Sequence, residues 1–92
     1  MSFVNEITVE PAGGDTYRVA VTENGSSTTH DVTVKPADLD RLGGGGTPEK
    51  LIEASFRFLL DREPKESILR RFDLSLISRY FPEYAMRIAD YL

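Results

Sequence analysis

Apolar and polar side chains alternate along three short segments in the first third of the chain, at residues 7–9, 16–23 and 28–34. Alternation with a period of two is typical of a strand that is buried on one face only. Asn24-Gly25 separates the second segment from the third, and this dipeptide suits the positive φ angles of a tight hairpin turn. The pattern therefore predicts a three-stranded antiparallel meander over roughly residues 4–34, with one face exposed to solvent.

A helical period replaces this alternation in the second half of the chain. Thr47 suits an N-cap and Pro48 the first helical position, and the polar residues that follow recur every three or four positions on one narrow stripe. We predict a mostly buried helix over about residues 48–62 that packs on the sheet. Pro64 and Pro82 interrupt the remaining sequence, which predicts short C-terminal helices, the first of them around Ile68-Leu69. The expected fold class is α+β.

Length and local composition bear on domain organisation. Ninety-two residues lie within the range of one domain with one core, so residues 1–92 are expected to form a single domain. A short helix is predicted at 36–42, stopped by a left-handed cap at Gly43. Gly43 to Gly46 then form the only low-complexity stretch, and we interpret them as an internal hinge between the sheet half and the helical half.

Several classes of chemistry are absent from the composition. There is no cysteine and only one histidine, His30, which excludes disulfides, thiolate zinc sites, thiol nucleophiles and multi-histidine metal sites. No residue is positioned to orient His30 as a general base, so we expect a partly exposed histidine at a strand end. We predict no catalytic, cofactor-binding or metal-binding residues and no cofactor. No apolar run has signal-peptide or membrane-spanning length, which favours a cytoplasmic protein without a membrane partner.

Charge and aromatic residues are distributed unevenly. The net charge is −4, and the first 45 residues carry seven acidic and three basic side chains, which disfavours binding to nucleic acid. Basic residues concentrate at 57–71, and five of the nine aromatic residues lie after residue 71. Such a segment is either core or a surface that faces a partner. The candidate partner-binding residues are Arg57, Arg62, Lys65, Arg70, Arg71, Tyr80, Tyr84 and Tyr91.

Two resemblances accompany these patterns. The block TPEKLIEASFRFLLDREPKESILRRFDLSLISRYFPEY, residues 47–84, resembles a block near the C-terminus of short prokaryotic proteins of unassigned function, and implies that the block folds as a unit. Residues 31–63 resemble, more loosely, ribbon-helix-helix regulators, in which paired strands of a dimer read DNA bases. That resemblance implies an outward base-reading set of Thr29, Asp31, Thr33 and Lys35.

The leading hypothesis is a small non-enzymatic interaction module or subunit that binds another protein, or itself, through its helical C-terminal half. The alternative is a dimeric nucleic-acid-binding regulator of the ribbon-helix-helix kind. A small hydrolase ranks third, because the residues provide no acid/base pair, nucleophile set or metal cluster.

Overall fold

The computed structural model describes residues 6–92, and its centre is a four-stranded sheet in the order β1-β2-β3-β4. Strands β1 (Glu6–Gly13), β2 (Thr16–Glu23) and β3 (Ser26–Thr33) are antiparallel neighbours, and β4 (Arg71–Asp73) pairs in parallel with β3. The predicted α+β class and the antiparallel order of the first three strands are confirmed. Residues 4 and 5 of the predicted meander lie outside the described residues.

The fourth strand is the main departure from the predicted meander. Phe72 aligns with Val32 on β3, and the Asp31 N–H donates to the Arg70 carbonyl at 2.7 Å. The predicted helical piece around Ile68-Leu69 is limited to the 3₁₀ turn Lys65–Ser67, whose Lys65 carbonyl accepts from the Ile68 N–H at 3.2 Å. From Leu69 on the prediction is wrong, because the Leu69 carbonyl accepts from the His30 ring and the Arg70 carbonyl accepts from the Asp31 N–H of β3. The sheet is therefore mixed, and β3 has a neighbouring strand on each side.

The hairpin between β2 and β3 follows its sequence signal. Glu23 pairs with Ser26, which leaves Asn24 and Gly25 as a two-residue loop with φ angles of 53° and 81°. Positive φ at both central positions is the geometry of a type I′ turn, whose twist matches that of the flanking strands. The predicted tight turn is therefore confirmed.

Within residues 6–92, the other regular elements are four α-helices and three 3₁₀ turns. The helices are α1 (Pro36–Leu42), α2 (Pro48–Leu60), α3 (Ile77–Tyr80) and α4 (Tyr84–Arg87), and the 3₁₀ turns are Lys65–Ser67, Leu74–Leu76 and Ile88–Asp90. The predicted N-cap of α2 is confirmed, because the Thr47 hydroxyl accepts from the Lys50 N–H at 3.2 Å. The helix ends at Leu60, two residues before the predicted end, since Pro64 disfavours helical backbone at the residue before it.

The glycine segment after α1 forms a closed turn. The Gly43 N–H donates to the Leu39 carbonyl at 2.8 Å, and the Gly46 N–H donates to the Gly43 carbonyl at 2.9 Å. Gly43 itself has φ −81°, so the predicted left-handed cap at this residue is wrong; positive φ occurs at Gly44 (58°) and Gly45 (83°). Motion about this segment stays a prediction.

The core lies between one face of the sheet and α2. Val19, Val21 and Val32 from the sheet and Phe56 and Phe58 from α2 are completely buried. The buried cluster also takes in residues of the C-terminal segments: Ile68, Phe72, Leu74, Ile77, Tyr84 and Ile88. Within residues 6–92, no helix has the length and apolar character that crossing a membrane requires.

Candidate functional site

Phe58 on α2 organises the aromatic residues of the C-terminal half. The rings of Phe81, Tyr84 and Tyr91 meet it edge-on at centroid distances of 5.9, 5.3 and 5.7 Å. The Arg62 guanidinium lies over the same ring at 3.6 Å from its centroid, a cation–π contact. Most of the aromatic tail is therefore committed to the inside of the molecule, although the sequence allowed it to be a partner surface.

Tyr84 belongs wholly to the core. It is 0% exposed, and its hydroxyl lies 2.6 Å from the Ser55 hydroxyl of α2. Burial raises the pKa of Tyr84 to about 12. Its prediction as a partner-binding residue is wrong, because spacing along a short helix does not reveal which face is covered. Tyr91 is half-buried against Phe58, and its hydroxyl donates to the Asp61 carboxylate at 2.6 Å.

Four of the five predicted basic residues have a carboxylate of the same chain within 4.0 Å, and for the highly exposed Arg71 this is Asp31 at 3.8 Å. Arg57 pairs with Glu53 at 2.6 Å, and Arg62 pairs with Glu83 at 3.2 Å. Lys65 is only 3% exposed, and its ammonium lies 2.7 Å from Glu66 and 3.9 Å from Glu23. The prediction of Lys65 as a surface residue is wrong, because these two carboxylates stabilise the charge of a buried ammonium.

His30 is buried, which corrects the expectation of a partly exposed histidine. It is 1% exposed, packs on Phe56 at 5.3 Å between ring centroids, and places Nδ1 2.8 Å from the Leu69 carbonyl. Since a carbonyl only accepts, Nδ1 carries the proton, and the neutral ring's Nε2 accepts from the Thr28 hydroxyl at 2.8 Å. Burial lowers the pKa of His30, and the nearby Arg70 charge also lowers it, against the opposite effect of the Leu69 hydrogen bond. The ring is a structural contact between β3 and residue 69.

Residues 64–70 are attached to the sheet at three points. Lys65 pairs with Glu23 at the end of β2, the His30 ring bonds to the Leu69 carbonyl, and the Arg70 carbonyl accepts from the Asp31 N–H. These contacts fix the backbone of an otherwise irregular segment. The side chains that this segment presents outward are therefore held in a defined place.

An apolar groove of about 320 Å³ lies between this segment, the end of α2 and α3. Its floor consists of side chains that are at least nine-tenths buried, namely Leu59, Ile68, Phe72 and Ile77. Its rim carries two large apolar side chains in solvent, Leu69 at 48% and Tyr80 at 66% exposure. Among the lining residues only Glu63 carries a charge.

The groove brings together few of the predicted site residues. Of the eight candidates only Tyr80 lines it, and Leu69, its other rim residue, was not predicted. The sequence around Leu69 predicted an apolar cluster on a helix. Leu69 is exposed because the chain turns here into β4, and this turn has no periodic pattern in the sequence. The predicted basic residues Arg70 and Arg71 are both exposed; Arg70 lies directly before β4, and Arg71 is its first residue.

The groove is lined mainly by apolar side chains. Its only polar side chains besides the Tyr80 hydroxyl are Glu63 and Ser67. Within residues 6–92 no group of three or more His, Asp or Glu side chains lies close enough together to hold a metal ion. The groove can bury an apolar side chain of another molecule, which removes apolar surface from water.

No protein-family model matches the chain, and no curated protein sequence or solved structure matches it significantly either. The geometry bears on one of the two resemblances. A ribbon-helix-helix dimer pairs its ribbon strand with that of a second copy, which requires a free strand edge. Here β2 pairs with β3 along its whole length and β4 covers the other edge at Asp31, Val32 and Thr33, so β4 occupies the edge at two of the strand residues of the implied base-reading set, whereas its pairing does not reach Thr29.

Proposed function

We propose that the chain is a non-enzymatic interaction module that binds another protein through the groove rimmed by Leu69 and Tyr80. The observation that carries the proposal is the exposure of these two large apolar side chains above a buried apolar floor. Large apolar side chains gathered around one concave site indicate an interaction site more strongly than the same residues scattered singly. Tyrosine is also enriched at the centres of protein interfaces, where it anchors binding.

The setting of the groove supports binding without large rearrangement. Its wall is tied to the sheet by the contacts of Lys65, His30 and Arg70, and its floor belongs to the main core. A preformed surface loses little conformational freedom when a partner orders against it. A side chain that entered the groove would add apolar burial next to Phe72 and Ile77, which are already packed.

The volume and open shape favour a protein segment over a small metabolite. Pockets for small ligands span about 300–1,000 Å³ and bury about 70–90% or more of the ligand's surface. This groove of about 320 Å³ is at the low end of that range and is open to solvent. Such a site suits the side chains of a longer partner that continues along the surface.

A differential capture experiment tests this function. Wild-type protein, the double variant Leu69→Ser/Tyr80→Ser and the control Met86→Ser are immobilised and exposed to lysate of the native cell. Met86 is 83% exposed and lies on α4, so its substitution removes exposed apolar area elsewhere on the molecule. We expect a stoichiometric protein on the wild type and the control, reduced at least about tenfold on the groove variant, because interface anchors contribute about 2 kcal/mol or more. Equal capture by all three proteins would contradict the role of the groove.

A further inference from the structure

Two exposed arginines without a carboxylate partner adjoin rim residues of the groove in sequence. Arg57, Arg62, Lys65 and Arg87 each have a carboxylate within 4.0 Å. Arg70, Arg79 and Lys50 are exposed and have no such partner among residues 6–92, and of these three Lys50 lies in the first turn of α2, away from the rim residues. Fewer basic side chains are therefore free to bind a partner's carboxylates than the basic composition of the C-terminal half predicts.

Both arginines are next to the rim. Arg70 follows Leu69 directly, and Arg79 precedes Tyr80 directly. Arg70 lies in the bend directly before β4, and its carbonyl accepts from the Asp31 N–H at 2.7 Å, which fixes its backbone beside β3. Within β4, Arg71 projects from the face of the sheet opposite to the buried Phe72, is 86% exposed and lies 3.8 Å from Asp31.

From this placement we propose that the segment bound in the groove is acidic: an apolar side chain enters between Leu69 and Tyr80, and adjacent Asp or Glu residues pair with Arg70 and Arg79. The proposal rests on the function proposed above and specifies the partner. A guanidinium binds a carboxylate through two parallel hydrogen bonds, which gives direction as well as strength. Arginine is likewise enriched in interfaces.

Other charges limit how acidic this segment can be. Glu63 lines the groove, and the molecule as a whole carries a net charge of −4, all of it from the half of the chain that contains β1 to β3. These acidic side chains would repel a long acidic stretch wherever it comes within about 8–10 Å of them, the distance beyond which salt screens the repulsion. The fitting ligand is therefore a short amphipathic segment with its carboxylates beside the apolar anchor.

A peptide-display selection tests the chemistry of the segment directly. Random peptides of about a dozen residues are first depleted on Leu69→Ser/Tyr80→Ser and then selected on the wild-type chain. Enriched peptides are measured for affinity on the wild type, on the single variants Arg70→Gln and Arg79→Gln and their combination, and on Arg71→Gln, a control that matches the single variants in charge. We expect apolar residues flanked by Asp or Glu, and affinity that falls about tenfold or more on the double arginine variant, since a hydrogen bond to a charged group contributes about 1.5–3 kcal/mol. The control is expected to change affinity less than about twofold.

The outcomes separate the two proposals. Enriched peptides that depend on Leu69 and Tyr80 but are neutral or basic, or that bind equally to Arg70→Gln/Arg79→Gln, overturn the acidic segment and leave the groove as a docking site. Absence of any peptide that prefers the wild type to Leu69→Ser/Tyr80→Ser overturns both. Sizing chromatography is run in parallel, and a dimer of the wild type that Leu69→Ser/Tyr80→Ser dissociates makes a second copy the occupant and overturns the acidic partner.

Discussion

Two substitutions that delete the same buried hydrogen bond are expected to act differently on stability. Ser55 and Tyr84 are both 0% exposed, and their hydroxyl oxygens are 2.6 Å apart. The Ser55 hydroxyl donates to the Leu51 carbonyl at 2.7 Å, so the Tyr84 hydroxyl has to donate to Ser55. Because burial raises the pKa of Tyr84 to about 12, its hydroxyl remains a donor at neutral pH.

The magnitude follows from which group is left without a partner. In Tyr84→Phe the Ser55 hydroxyl keeps its bond to Leu51, so the loss is that of one ordinary hydrogen bond, about 0.5–1.5 kcal/mol. In Ser55→Ala the buried Tyr84 hydroxyl has no acceptor, which destabilises the fold by about 1–3 kcal/mol, offset in part by the higher helix propensity of alanine. Adding Tyr84→Phe to Ser55→Ala removes the stranded hydroxyl and should raise stability.

Urea denaturation of the wild type, both single variants and the double variant measures these four free energies of unfolding as a double-mutant cycle. The double variant Ser55→Ala/Tyr84→Phe is expected to be more stable than Ser55→Ala alone. If Tyr84→Phe lowers stability further in the Ser55→Ala background, the buried position of the Tyr84 hydroxyl with Ser55 as its partner is refuted.

Three further predictions concern single residues. Burial lowers the pKa of His30 below its unfolded value of about 6.5, so the unfolded chain takes up the proton first as the pH falls. The free energy of unfolding should therefore fall as the pH drops from about 6.5 through the lowered pKa, which urea midpoints at about pH 7.5 and 5.5 measure. The same drop in stability in His30→Gln would contradict this prediction. Phe58→Ala should lower the free energy of unfolding by about 3–5 kcal/mol in the same assay, and a loss below about 1 kcal/mol would show that the ring is not the centre of the aromatic cluster. Thr47→Ala should lower it by about 1 kcal/mol through loss of the α2 cap, whereas Thr47→Asp should retain most of the stability; equal losses in both would argue against capping.

The elements that the sequence predicts well are those with a long periodic signal. The alternation at 16–23 and 28–34 fixes β2 and β3, and Asn24-Gly25 fixes the turn between them. Thr47 and Pro48 define the start of α2 in the same way. In each case the residues that determine the element are neighbours along the chain.

The elements that escape prediction depend on contacts between distant parts of the chain. Three residues are too few for periodicity, so β4 is visible only once Phe72 is placed beside Val32. His30 shares its face with Val32, which the alternation indicates, but its burial requires the Leu69 segment to cover it. Lys65 is buried for the same reason, since Glu23 is 42 positions away in sequence and 3.9 Å away in space.

The groove combines both situations. The C-terminal half is predicted as the partner side because of its aromatic and basic composition, and Tyr80, Arg70 and Arg71 remain exposed there. Composition does not separate these residues from Tyr84 and Lys65, because exposure is decided by how short helices and β4 pack together. The exposure of Leu69, one of the two rim residues, therefore could not be predicted from the sequence.

Site-specific photo-crosslinking in the native cell tests the docking role of the groove most directly. A photo-reactive amino acid is incorporated in place of Tyr80 in one variant and in place of Met86 in a second, and Met86 is the more exposed of the two positions at 83% against 66%. A protein crosslinked from position 80 and not from position 86 is the predicted result. Equal labelling from both positions, or labelling from position 86 alone, would contradict a partner bound between Leu69 and Tyr80.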